Sequence, residues 1–203
     1  MTEQSTNPQA EIQNGNSPIG RPAGWNARLR EQLSWHWEHQ ARPRLTGLTD
    51  EEYRWEPVPQ SWNVRSRTDP SQPGSTDVTV DFVFPEPDPA PFTTIGWRLA
   101  HLIVGVFGMR NASHFGRDPI DYQSHGYAAT ADEALAQLDA EYATWMAGVE
   151  TLGADGLERP CGPAEGPYAE LSMADLVLHI HREAIHHLSE VALLRDLYLY
   201  RSA

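Results

Sequence analysis

The sequence predicts an all-α protein: a four-helix antiparallel bundle, with a long proline-rich loop and a short strand or extended cover between its first and second helices. Three observations predict it. Apolar residues recur at helical spacing in four separated stretches, cap residues head the later ones, and the one region that breaks the helical rhythm is crowded with prolines. A chain of 203 residues with 40% hydrophobic residues and seven tryptophans can bury one core of that size.

Residues 1–22 are rich in Gln, Asn, Ser, Thr and Pro and carry no apolar periodicity. Burial cannot offset their ordering entropy, so they read as a flexible tail, with a single bundle domain over residues 23–203. Trp25, Leu29, Leu33 and Trp37 recur at helical spacing, and Pro43 ends or kinks a first helix that runs from about Trp25 to Leu45. From Thr49 to Phe92 eight prolines interrupt any helix: Pro57, Pro59, Pro70, Pro73, Pro85, Pro87, Pro89 and Pro91. Within that stretch Val78, Val80, Phe82 and Phe84 alternate with Thr79, Asp81 and Val83, the two-residue period of a strand.

Thr93 or Thr94 caps a second helix that carries Ile95, Trp97, Leu99, His101, Leu102, Val104, Val106 and Phe107, apolar nearly all round and therefore buried. Thr130 and Glu133 form a capping box for a third helix, whose Leu135, Leu138, Tyr142, Trp145 and Val149 hold one face until Gly153. After a turn-rich connection with Pro160, Gly162 and Pro163, Ser172 and Asp175 open a fourth helix that reaches at least Leu197.

The formal charge of −13 repels phosphate backbones and anionic lipid surfaces, so nucleic acid and membranes are not the expected partners. Cys161 is the single cysteine and cannot form an internal disulfide; it lies in a loop where an ordinary thiol is expected. No apolar run has membrane-spanning length or follows a basic start as a signal peptide would. A soluble cytoplasmic protein acting on a small molecule is the simplest expectation.

The densest chemistry lies on the fourth helix, where four of the nine histidines fall within nine residues. Helical periodicity sorts them. His179, Glu183, His187 and Glu190 form one stripe, while His181 and His186 lie off it, suited to interhelix or surface contacts. Glu183 and His187, four apart, can close on one ion. Each residue also has a plainer reading: a lone histidine in an apolar helix, such as His101, is more often a hydrogen-bonded core residue, and a Glu/His pair is often solvated. A carboxylate facing the core without a cation is costly, however, and a divalent ion compensates both it and the imidazoles.

With Leu99, Ala100, His101 and Leu102 on the second helix, and His179, Glu183, His187, Glu190, Leu193, Leu194 and Arg195 on the fourth, the chain resembles the DinB superfamily, the DinB/YfiT-like metalloenzymes. The stretch LTGLTDEEYRWEPVP, from Leu45 to Pro59, is similar to the family's segment after its first helix. The Glu-containing variant is nearest the metal-binding domain of mycothiol-dependent maleylpyruvate isomerase. The resemblance implies a divalent metal, zinc first and nickel or iron next, on His101, Glu183 and His187. It also implies a low-molecular-weight thiol such as mycothiol as cosubstrate, and a homodimer. The sequence reaches only a little past the fourth helix, so that isomerase's C-terminal domain is not expected here and maleylpyruvate is a poor candidate substrate.

Two imidazoles and one carboxylate would leave a coordination position open, as catalytic sites do. The expected function is metal-dependent activation of a thiol for transfer to, or isomerisation of, a small electrophile. The alternatives are a hydrolase using metal-bound hydroxide, and a non-catalytic, metal-stabilised helical stress-response or binding module. His179, Glu190 and His36 are candidates for orienting a ligand or moving protons. Trp37, Trp55, Trp62 and Trp97 are expected in the core before any pocket wall.

Overall fold

The computed structural model describes residues 24–201, and the tail expected over residues 1–22 lies outside the described residues. The first helix, α1 (residues 24–44), starts as Gly24–His36, widens into a π-helical turn Trp37–Ala41 and closes with Arg42–Arg44. The widening comes just before Pro43, whose ring opposes the carbonyl four residues back and whose nitrogen donates nothing, so the helix absorbs the proline without ending there.

The proline-rich loop has more structure than its composition suggests. A short helix α2 (Asp50–Arg54) is capped by a reciprocal Thr49/Glu52 box. Glu52 is buried and accepts from Arg195 Nε at 3.0 Å, which ties this segment to the last helix. Strand β1 (Val64–Ser66) pairs antiparallel with β2 (Val78–Val80), Val64 opposite Val80. The alternation expected through Phe84 stops at Val80, because β1 offers only three partners and the chain then enters its proline run; Phe84 is exposed. The ribbon packs on the start of the next helix, where a Cβ at Gly96 would stand 2.9 Å from Val64 Cγ2.

The second bundle helix, α3 (residues 95–115), is capped by Thr94, whose hydroxyl accepts from Trp97 N. It passes through a π-helical turn at Leu102–Gly108, resumes as Met109–Phe115 and ends at Gly116 in the left-handed region. Its residues from Leu99 to Phe107 are buried apart from His101 and Gly105, in line with its all-round apolar sequence.

α4 (Ala131–Glu158) carries the Thr130/Glu133 box and breaks helical geometry at Gly153, where the apolar face was expected to end. α5 (Met173–Tyr200) carries the Ser172/Asp175 box.

Side-chain pairs fix the directions of these rods. Asn26 reaches the Val149 carbonyl and Arg42 reaches Asp139, so α1 and α4 are antiparallel. Phe107 meets Tyr142 and Phe115 meets Trp145, so α3 and α4 run parallel. Arg98 meets Glu190 while Arg110 and His179 share a cavity wall, so α3 and α5 are antiparallel. The bundle therefore runs up, down, down, up, with residues 116–130 returning the chain between α3 and α4. Leu33, Leu99, Phe107, Leu138, Trp145, Val177 and Val191 form its centre. Among the described residues no helix is long and apolar enough to cross a membrane.

Candidate metal centre

The stripe on α5 faces α3. His187 is buried, and its ring meets that of His101 edge to face, with centroids 4.8 Å apart. His187 Nδ1 lies 2.7 Å from Glu190 Oε2, and Arg98 Nη1 donates to that same carboxylate oxygen at 2.8 Å. The opposite ring nitrogen, Nε2, is 3.7 Å from Glu183 Oε2. Glu190 and Arg98 thus hold one edge of the ring, and Glu183 flanks the other.

His101 is fixed in the same manner. Its Nδ1 lies 2.7 Å from the Tyr122 hydroxyl, and its ring stacks on Trp97 at 5.3 Å. Trp97 in turn donates from Nε1 to the Asp81 carbonyl just after β2, and Tyr122 stacks on Phe82. The loop that interrupts the helical sequence is therefore the support behind this histidine. Gly105, inside the π-helical turn, makes the arrangement fit: a Cβ there would overlap the Tyr122 hydroxyl and stand 3.0 Å from His101 Nδ1.

Burial keeps both rings neutral. It pushes His101 down to about 3, with the nearby His187, Arg98 and Arg110 adding to the effect. It also lowers His187, against the opposing hydrogen bond from Glu190. Burial and the neighbouring Arg110 act in opposite senses on Tyr122, and burial prevails, raising the phenol to about 12. Neutral imidazole is the form that binds metal. When Nδ1 of His101 donates to the Tyr122 oxygen, the lone pair is left on Nε2. A cavity of about 270 Å³ opens beside the two helices, lined by His101, Gly105, Arg110, Tyr122, His179 and Glu183 among others.

Among the described residues the predicted set of His101, Glu183 and His187 is more widely spaced than a second grouping, which shares His187 with it. His186, His187 and Glu190 each present a ligand atom within 4.8 Å of the others and could hold a divalent ion. Glu190 stands on the Nδ1 side of His187, where the Arg98 guanidinium is already 3.1 Å from the ring nitrogen. A cation entering there must displace Arg98 or be repelled by it, whereas on the Nε2 side, among the described residues, the ion-pair partner is the Glu183 carboxylate.

The remaining predicted residues fall in several places. His179 is half-exposed at the cavity edge, 3.7 Å from Glu183 Oε1, and its Nδ1 accepts from Arg182 at 2.8 Å. Glu190 braces His187. His36 is half-buried on α1, with Nε2 buried and without a partner, and does not line the cavity. His181 is wholly buried against Trp145, while His186 is exposed and reaches Glu190, which matches their positions off the stripe. Trp37 stacks on Tyr142 in the core, and Trp62 lies against Trp97. Cys161 donates to the Ser172 carbonyl, and burial raises its thiol, so it is no activated nucleophile.

Sequence reasoning missed Arg98, Tyr122 and Gly105. Arg98 had a signal, since it stands three residues before His101 on the same helix face; Tyr122 and Gly105 had none. A family model described as the DinB superfamily matches residues 32–191, a span that includes every histidine and carboxylate of both groupings. No curated protein and no solved structure matches the chain.

Proposed function

The chain belongs to the DinB superfamily, and from that premise we propose that it is a divalent-metal-dependent enzyme acting on a low-molecular-weight thiol, with mycothiol the first to try. The thiol is transferred to, or drives isomerisation of, a small electrophile. His101, Glu183 and His187 hold the metal. The observation that carries this reading is a pair of neutral imidazoles on facing helices, each with Nδ1 held by a protein group: His101 lines the cavity that Glu183 also lines, and His187 Nε2 is 3.7 Å from that carboxylate.

The donor set fits. Two imidazoles and a carboxylate suit zinc, and nickel or iron next, and three protein ligands leave room for an exchangeable one. A divalent ion bound there would lower the pKa of a thiol beside it and so supply a nucleophile at neutral pH.

The chain's own residues supply orientation and charge. Tyr122 and Glu190 fix the ring tautomers, and Arg98 anchors Glu190 so that its carboxylate stays against His187. Glu183 brings the one negative charge in the ligand set. His179 stands at the cavity edge with Nδ1 accepting from Arg182; Nδ1 is its basic nitrogen, so it takes up the thiol proton there on release of Arg182 and passes it to solvent.

The test is thiol consumption by zinc-loaded protein with mycothiol and a panel of small electrophiles. The reading predicts turnover that requires the thiol and disappears in His101→Ala. Turnover of esters or amides without any thiol would overturn it in favour of hydrolysis.

A further inference from the structure

The cavity beside His101 does not stand alone. A larger one of about 730 Å³ lies against it, under the turn Pro163–Tyr168 and the first turns of α5, and Arg110 and His179 line both. Its size is that of a small-molecule site, and most of its wall is apolar, with Leu171, Leu176, Leu178 and Pro167 the main contributors.

The charges on that wall are unequally committed. Asp175 is occupied by its capping box, accepting from Ser172 N and Oγ. Glu165 accepts from His114 Nε2 at 2.9 Å and lies 3.4 Å from Arg110, and these contacts, the His114 hydrogen bond foremost, hold its carboxyl below the usual range. Glu165 is thus paired within the protein, and Asp175 is engaged by neutral donors. The two arginines keep unused N–H donors. Among the described residues Arg182 donates one hydrogen bond, to the His179 ring, and forms a long ion pair with Glu183 Oε1 at 3.6 Å, beyond hydrogen-bond reach. Arg110 binds the Gly105 carbonyl, but its Nε is buried without a partner. The spare N–H donors of this chamber belong to Arg110, which lines both cavities, and to Arg182, which stands against His179, the other residue that lines both.

We propose that the larger chamber binds the substrate of the adjoining centre, and that this substrate is a small carboxylic acid with an apolar body. Its carboxylate is held by Arg182, beside the His179 that lines both cavities, and its apolar part lies along Leu171, Leu176 and Leu178. The carboxylate end is then the end nearest His101 and Glu183. This substrate class rests on the reading of that centre as catalytic, whereas the binding itself depends on Arg182 and the apolar wall alone. The predominantly apolar lining matches an organic electrophile better than it matches a sugar-based thiol.

The test uses 4-phenylbutyrate and its neutral isostere 4-phenylbutanamide, titrated calorimetrically into metal-free and zinc-loaded protein. The acid should bind more tightly than the amide in both forms. Arg182→Gln should weaken the acid roughly tenfold, the loss of one partly exposed charge-assisted contact, and leave the amide unchanged. Leu178→Glu should weaken both. The two side chains are 70% and 48% exposed, respectively, so neither change threatens the fold, and an unchanged thermal midpoint checks this. Equal affinity for acid and amide, or acid binding indifferent to Arg182→Gln, would overturn the proposal. Failure of the metal assignment shows elsewhere: His187→Ala would keep its full metal content, with the phenylbutyrate titration unaffected.

Discussion

Replacing Gly105 with alanine should separate stability from metal affinity. The added Cβ would overlap the Tyr122 hydroxyl and stand 3.0 Å from His101 Nδ1. Tyr122 gives way, because its hydroxyl is the far end of a side chain on the 116–130 loop, while the His101 ring is held against Trp97. The 2.7 Å contact between them is then lost. Alanine gains up to about 1 kcal/mol over glycine within a helix, and a lost hydrogen bond costs about the same, so the net change in stability is close to zero. Metal affinity has no such offset. Removing the group that orients a ligating histidine lowers affinity by roughly 10- to 100-fold, or about 1.4 to 2.7 kcal/mol. Tyr122→Phe deletes the same contact without the overlap and should match it, and the double variant should be no worse than either single one. Zinc affinity is read by competition with a chromophoric chelator, and stability by urea unfolding. Gly105→Ala binding zinc like the parent protein would refute the role assigned to Tyr122. So would a loss in Gly105→Ala that Tyr122→Phe does not share.

Two further substitutions and one pH dependence test other parts of the structure. His181 is wholly buried with neither ring nitrogen well paired, and burial pushes it down to about 4, against a partial backbone contribution from Leu29. His181→Leu should therefore raise stability by about 1 kcal/mol or more at neutral pH, measured by urea midpoint. The same residue gives a pH dependence. Between its unfolded value near 6.5 and its folded value near 4, the unfolded chain binds the proton and the folded chain does not, so the His181 contribution is complete above about pH 6.5 and is lost as pH falls, by about 1.4 kcal/mol per unit. Unfolding at pH 7 and pH 5 should accordingly show a shallower acid loss in His181→Leu than in the parent, and equal slopes would contradict the burial argument. Gly148→Ala places a Cβ into the Phe115 ring between α3 and α4, and should destabilise by roughly 1 to 3 kcal/mol, seen as a lower thermal midpoint.

What the sequence made legible was local. The caps at Thr94, Thr130 and Ser172 are set by residues three positions apart, and the α5 stripe by the helical period, so both could be read directly. Features that depend on distant partners could not. β1 contains one valine between polar neighbours and becomes a strand only because Val80 lies across from it. The parallel course of α3 and α4 is decided by how the 116–130 loop packs, which no periodicity reports. At the centre, Arg98 reaches a histidine 89 residues away in the chain and Tyr122 one 21 residues away, so the groups that orient the two rings emerge only on folding. Gly105 is conspicuous only once it is known what a Cβ would strike. The histidine count was a poor guide, because His181 serves the core and His186 the surface, while the imidazole that faces His187 comes from another helix.

The central claim is that the ion sits on the Nε2 side of His187, with His101 and Glu183, and not on the Nδ1 side with His186 and Glu190. Metal content after zinc loading and desalting, compared among the parent protein, His101→Ala, Glu183→Gln and His186→Ala, decides it. The account predicts that His101→Ala and Glu183→Gln lose the metal and that His186→Ala keeps it. Retention in the first two with loss in His186→Ala would contradict it.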